Sequence, residues 1–128
     1  MTILIVEDNQ TIRRLIRRAI SDIADAIFEC EDGADALTAY KEHRPDVVLM
    51  DVRMPRLDGL AATRQLLQHD SEALIVILTD YNDDGLRSAA REAGARAYAL
   101  KNNLTELDGV IREALSSCDA RNSMPGAL

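Results

Sequence analysis

Two periodicities alternate along the chain. Nearly unbroken apolar runs stand at Thr2–Val6 (TILIV), Asp46–Met50 (DVVLM) and Ala73–Leu78 (ALIVIL). A run without in–out alternation predicts a strand covered on both faces. Between the runs, apolar residues recur at three- and four-residue spacing, which predicts amphipathic helices. Ile12, Leu15, Ile16, Ala19 and Ile20 form such a stripe over Thr11–Ile20, with Asn9 placed to cap it. Weaker runs at Ala26–Cys30 and Ala95–Leu100 supply two more strands. Further helices are expected over Ala34–Glu42, Leu57–Gln68, Asp83–Ala93 and Leu104–Leu115, the third closed by Gly94. Strands and helices in strict alternation predict an α/β fold: a doubly wound, five-stranded parallel sheet with five helices on its two faces. After Ser116 the periodicity fades, so one domain is expected over 1–117 and a flexible tail over 118–128.

Composition narrows the function classes. A chain of 128 residues suits one domain and needs no metal or disulfide to fold. Fifteen basic residues against 22 acidic ones give a net charge of −7. That balance argues against direct nucleic-acid binding, which depends on basic surface to neutralise phosphates. No apolar stretch is long enough to cross a membrane, and no signal peptide is visible. Cys30 and Cys118 form neither a metal-binding pair nor a disulfide framework. A cytoplasmic protein with two reduced thiols is therefore expected.

In an open α/β sheet, chemistry gathers at the carboxyl ends of the strands. The first strand leads into Glu7 and Asp8, the third into Asp51, the fourth into Thr79 and Asp80, and the fifth into Lys101. The second leaves through Cys30, Glu31 and Asp32, without a comparable single polar residue. Parallel strands bring all these groups to one edge. Three acids there repel one another unless a cation neutralises them, and Mg²⁺ is held by one or two carboxylates and waters. A lysine and a hydroxyl on the same edge suit a phosphoryl group, and an aspartate beside them can act as a nucleophile. A single acid after a strand is more often a cap or turn former; the conjunction of four strand ends is what points to chemistry. A nucleotide or flavin binder would want glycines after the first strand, where EDNQT has none. A metal-dependent hydrolase would want a second acid two residues after the nucleophile, where Arg53 stands.

Over roughly residues 2–116 the chain resembles a response-regulator receiver domain of two-component signalling. The matching segments are ILIVEDN, DVVLMDVRMPRLDG at Asp46–Gly59, VILTD at Val76–Asp80 and GARAYALK at Gly94–Lys101. The resemblance implies the flavodoxin-like strand order 2-1-3-4-5. It implies that Asp51 is the phosphoacceptor, with Mg-dependent self-phosphorylation and autodephosphorylation. Asp8, Asp51 and the backbone carbonyl of Arg53 would ligate Mg²⁺ (Mn²⁺ as an alternative), with Glu7 acting through water. Thr79 would be the switch hydroxyl, Lys101 the lysine that pairs with the phosphoryl group, and Tyr98 the switch aromatic. Pro55, Asp58 and Gly59 would shape the loop after the acceptor. The switched surface would be that of the fourth helix, fifth strand and fifth helix. The expected partners are a histidine kinase or histidine phosphotransfer protein upstream, met by the first helix with Arg13, Arg14, Arg17 and Arg18 opposite its apolar stripe. Downstream stands a protein target or a detached output domain, with a phosphorylation-dependent homodimer as a further option. Two positions depart from the pattern: Asp80 replaces a small residue, and Asn102 replaces the proline after the lysine. The latter predicts a trans peptide there unless strain is absorbed locally. Lys101 followed by a non-proline is similar to receivers of helix-turn-helix regulators, and no such domain lies in this sequence, so a stand-alone or detached receiver is expected. A degenerate receiver that acts by binding alone is the alternative.

Overall fold

A computed structural model describes residues 1–122 of the chain, with side chains described through 117. Its strands are β1 (Thr2–Val6), β2 (Ala26–Cys30), β3 (Val47–Asp51), β4 (Ile75–Thr79) and β5 (Ala97–Leu100). Its helices are α1 (Gln10–Ile20), α2 (Ala36–His43), α3 (Gly59–His69), α4 (Asp84–Ala93) and α5 (Leu107–Asn122). The strands form one sheet in the order β2-β1-β3-β4-β5, every neighbouring pair parallel. This is the doubly wound arrangement that the alternation of patterns predicts.

The unbroken apolar runs have the expected cause. Successive side chains of one strand enter opposite layers. Ile3, Ile5, Val47, Leu49, Val76 and Leu78 pack with Ile16 and Ile20 of α1 and Leu107 and Ile111 of α5. Leu4, Val6, Val48, Met50, Ile75 and Ile77 pack with Tyr40 of α2, Ala62 and Leu66 of α3 and Ala90 of α4. Both faces are dry, so the central strands carry no polar positions between their first and last residues. The functional edge is set by that switch from apolar to polar.

Local chemistry fixes the helix starts. Asn9 Oδ1 accepts from the Ile12 amide at 3.0 Å, as expected of the cap of α1. Asp58 caps α3 by accepting from the Ala61 amide at 2.9 Å, so that helix begins at Gly59 and not at Leu57. A 3₁₀ turn, Gly33–Asp35, takes the first residues expected of α2, and a second, Lys101–Glu106, precedes α5. α5 runs on to Asn122, past the fading of its apolar period at Leu115. The tail expected over 118–128 lies outside the described residues from 123 onward, and the side chain of Cys118 is not described. Among the described residues all peptide bonds are trans, Lys101–Asn102 included.

Two expectations for α1 need correction. Leu15, placed in the apolar stripe, is 43% exposed; Ile16 and Ile20 carry the inward face, with Ile12 and Ala19 packed beside them. Arg13, placed on the outer face, is buried. Its guanidinium donates to the Glu7 carbonyl at 2.7 Å and to Glu29 Oε1 at 3.0 Å. Arg17 also pairs with Glu29, so of the four arginines of α1 it is Arg14 and Arg18 that are exposed without a described ion pair.

Candidate functional site

The strand ends converge as the sequence predicts. Glu7 and Asp8 follow β1, Asp51 closes β3, Thr79 closes β4 and Lys101 follows β5. Together with Arg53, Asp80 and Tyr81 they line one cavity of about 340 Å³ at the carboxyl edge of the sheet. Carboxylate oxygens of Glu7, Asp8 and Asp51 all lie within 4.8 Å of one another. Asp51 is buried and Asp8 is exposed at the mouth.

Lys101 holds the two buried acids. Its Nζ lies 2.6 Å from Glu7 Oε1 and 2.8 Å from Asp51 Oδ1, and its side chain is 9% exposed. Burial alone would lower the lysine pKa; hydrogen bonding and the charges of Asp51 and Glu7 outweigh it and hold the ammonium above its ordinary range. Burial pushes the Glu7 carboxyl up to about 7, with the Asp51 charge acting the same way against the pull of Lys101 and the Asn9 amide. One lysine thus falls short of neutralising the cluster. Glu7 Oε1 is buried with the Lys101 ammonium as its one close partner among the described residues. An under-neutralised set of oxygen ligands fits a hard divalent cation such as Mg²⁺. Asp80 is exposed at the rim and stands outside the trio.

Thr79 is buried and its Oγ1 accepts from the Tyr81 amide at 3.2 Å. Tyr98 is half-buried on β5, and its hydroxyl donates to the Tyr81 carbonyl. The Arg87 guanidinium covers the Tyr98 ring at 4.4 Å, and that of Arg53 covers the Tyr81 ring at 4.7 Å. The segment after β4 is therefore tied to both the hydroxyl and the aromatic singled out in the sequence. Tyr81 itself was not anticipated; nothing in the local pattern marks a loop tyrosine whose backbone is the useful part.

The loop between β3 and α3 is held from beneath. Gly59 donates its amide to the Val52 carbonyl at 2.8 Å. A Cβ at Gly59 would stand 1.8 Å from the Asp51 carbonyl oxygen, so only glycine permits this approach. The expectation that Gly59 and Asp58 shape this loop agrees with these contacts. Asp32, by contrast, was passed over. It is 4% exposed, and its carboxylate accepts from three backbone amides: Ala34 at 2.8 Å, Arg56 at 3.0 Å and Leu57 at 3.0 Å. The signal was present, since an acid directly before a glycine leaves β2, but two polar neighbours obscured it.

Comparison with known proteins agrees with this geometry. Residues 3–112 match the family described as the response regulator receiver domain. The chain is 35% identical over 117 residues to response regulator GacA of Pseudomonas aeruginosa, an alignment covering 89% of this chain and 55% of that one. It is 34% identical over 99 residues to the chemotaxis protein CheY of Halobacterium salinarum, covering 77% and 82%. A crystal structure of a LuxR-family two-component response regulator from Aurantimonas sp. SI85-9A1 superposes with a TM-score of 0.85 at 33% identity, covering 91% of this chain and 85% of that one. The chain belongs to the response-regulator receiver family. It spans about half the length of several curated relatives, 50% of the Bacillus subtilis protein YhcZ among them. Among the described residues no helix is long and apolar enough to cross a membrane.

Proposed function

We propose that Asp51 accepts a phosphoryl group in a Mg²⁺-dependent reaction and that the modification switches the surface around α4, β5 and α5. The observation that carries this reading is the pairing of a buried, lysine-bound aspartate with two further carboxylates within ligand distance of one another. An oxygen of Asp51 attacks phosphorus; the new O–P bond forms as the bond from phosphorus to the donor breaks, and the donor keeps that electron pair. Lys101 stands where it can leave the carboxylate for an equatorial phosphoryl oxygen. Glu7, Asp8, Asp51 and the Arg53 backbone carbonyl would hold Mg²⁺, whose contribution when bound is to neutralise charge on those oxygens.

The switch follows from the same contacts. A phosphoryl group adds about −1.5 to −2 charges, which gives the Thr79 hydroxyl a new acceptor. Turning toward it, Thr79 gives up the Tyr81 amide that it now holds. Tyr81 also carries the carbonyl that binds Tyr98, so the loop and the aromatic rearrange together. The donor is a phosphohistidine protein, a histidine kinase or phosphotransfer protein, meeting α1 at Arg14 and Arg18. The output is a protein target or a domain outside this sequence, and the setting is the cytoplasm.

The test is incubation with Mg²⁺ and acetyl phosphate, read by intact mass. One base-labile adduct of a single phosphoryl group is expected, and none on Asp51→Asn. Charge reversal at Arg14 and Arg18 should slow transfer from a phosphohistidine donor and leave acetyl phosphate labelling unchanged. An unlabelled wild type, or labelling that persists in Asp51→Asn, overturns the assignment and leaves a module that acts by binding alone.

A further inference from the structure

Asp32 lies outside the acidic cavity, yet it holds the segment that the cavity depends on. It leaves β2, two strands away from Asp51 in the sheet order. Its two carboxylate oxygens divide three donors. Oδ1 takes the amides of Ala34 and Leu57, and Oδ2 takes the amide of Arg56. Ala34 belongs to its own turn; Arg56 and Leu57 belong to the loop after the acceptor. The neighbouring Gly33 admits that loop, since a Cβ there would stand 2.3 Å from the Leu57 carbonyl oxygen. Arg56 closes the contact from outside, donating to Asp35 Oδ2 at 2.6 Å. At its start the loop is fixed to Asp51 through Gly59 and the Val52 carbonyl. Arg53 therefore sits on a short span pinned at both ends.

We propose that Asp32 is a positioning residue for the metal site, acting through the Arg56 and Leu57 amides to fix the backbone that presents the Arg53 carbonyl. This rests on the reading of that carbonyl as a Mg²⁺ ligand. Three backbone donors satisfy one buried carboxylate almost completely, so it is a rigid anchor and not a mobile counter-ion. Outer groups that orient metal ligands are commonly worth 10- to 100-fold in affinity. Asp32→Asn retains an acceptor for Ala34 and Leu57 but turns an amide NH₂ toward the Arg56 N–H. The span that carries Arg53 is then released on one side only.

The experiment is calorimetric titration of Mg²⁺ into the full chain without any phosphodonor, alongside amide NMR shifts of residues 52–58. Tyr40→Phe serves as the comparison. It removes the hydrogen bond from Tyr40 to Asp70, between the C-terminal ends of α2 and α3, and costs stability without touching the loop. Asp32→Asn should raise the Mg²⁺ dissociation constant about tenfold. Its amide shifts should change over 52–58, and the acetyl phosphate rate at saturating Mg²⁺ should stay within about threefold of wild type. Tyr40→Phe should leave the dissociation constant unchanged. Wild-type binding with an unaltered Asp32→Asn constant overturns the proposal alone, as does an equal weakening in Tyr40→Phe. A wild type that takes up no Mg²⁺ overturns this proposal and the metal assignment together.

Discussion

Asp51 and Asp32 are both buried aspartates at or just after a strand end, yet they differ in what holds them from a distance. Asp51 Oδ1 accepts from the adjacent Val52 amide at 2.8 Å, and its partner from outside its own strand is the ammonium of Lys101, a flexible side chain shared with Glu7. Asp32 is held by three backbone amides whose positions the fold dictates. A carboxylate bound to a movable cation can be handed to another partner during a reaction. One bound to peptide groups cannot be released without undoing the loops that carry them. On the function proposed above, the difference separates a reacting group from a framework group even though residue type and burial are alike. It also shows in the titration of Asp32. Burial pushes its pKa up, but the three amides prevail and hold it below the ordinary carboxylate range.

The strongest way to break the contrast is to remove the movable cation. Lys101→Met leaves Glu7 and Asp51 buried without their counter-charge, which should cost about 3 kcal/mol in metal-free buffer. Millimolar Mg²⁺ should return much of that loss, because a cation can take the lysine's place; thermal melts with and without Mg²⁺ read this directly. If Mg²⁺ raises the melting temperature no more in the variant than in wild type, Asp51 is not exchangeable between partners. Next in size is Asp32→Ala, which strands three amides and should cost about 2 kcal/mol. Here added Mg²⁺ should restore no more than it gives wild type.

Tyr40–Asp70 sharpens the comparison, being a carboxylate held by a neutral side-chain donor. Tyr40 donates to Asp70 Oδ2 at 2.7 Å, and this bond, followed by the Glu72 amide, holds the Asp70 carboxyl below its ordinary range. A depressed folded-state pKa means stability that is present above the unfolded value, near 3.9, and lost as pH falls through the folded one. Tyr40→Phe should therefore cost about 1 kcal/mol at neutral pH, with the gap to wild type closing below about pH 4. Urea unfolding across pH checks it, and a gap that is constant from pH 7 to 3 would assign the effect to packing.

Much of this was legible before any coordinates, and for a physical reason. In a doubly wound sheet the strands are dry on both faces, so the first polar residue after each apolar run marks the functional edge. Glu7, Asp8, Asp51, Thr79 and Lys101 could be placed by that rule alone, and the family resemblance added their roles. Arg13 shows where the rule stops. Helical periodicity put it on the solvent side of α1, but Glu29 on β2 and the Glu7 carbonyl draw it inward. A long side chain at the margin of an apolar stripe can go either way, and spacing within one helix does not report what the neighbouring strand offers. Asp32 was missed for a related reason. Its partners are main-chain amides of a loop more than 20 residues away, and main-chain donors leave no mark in residue types. The 3₁₀ turns before α2 and α5 blurred those boundaries, since each runs directly into the helix it precedes.

The contact between Gly59 and the Asp51 carbonyl bears on anyone who would retune this protein. With that glycine wedged beneath Asp51 and its amide bonded to Val52, the intervening span has a fixed number of residues. Side-chain changes at Arg53, Met54 and Pro55 leave that spacing intact. Insertions or deletions there, however small, would instead break the Gly59–Val52 hydrogen bond, so diversity at this spot is confined to composition and closed to length.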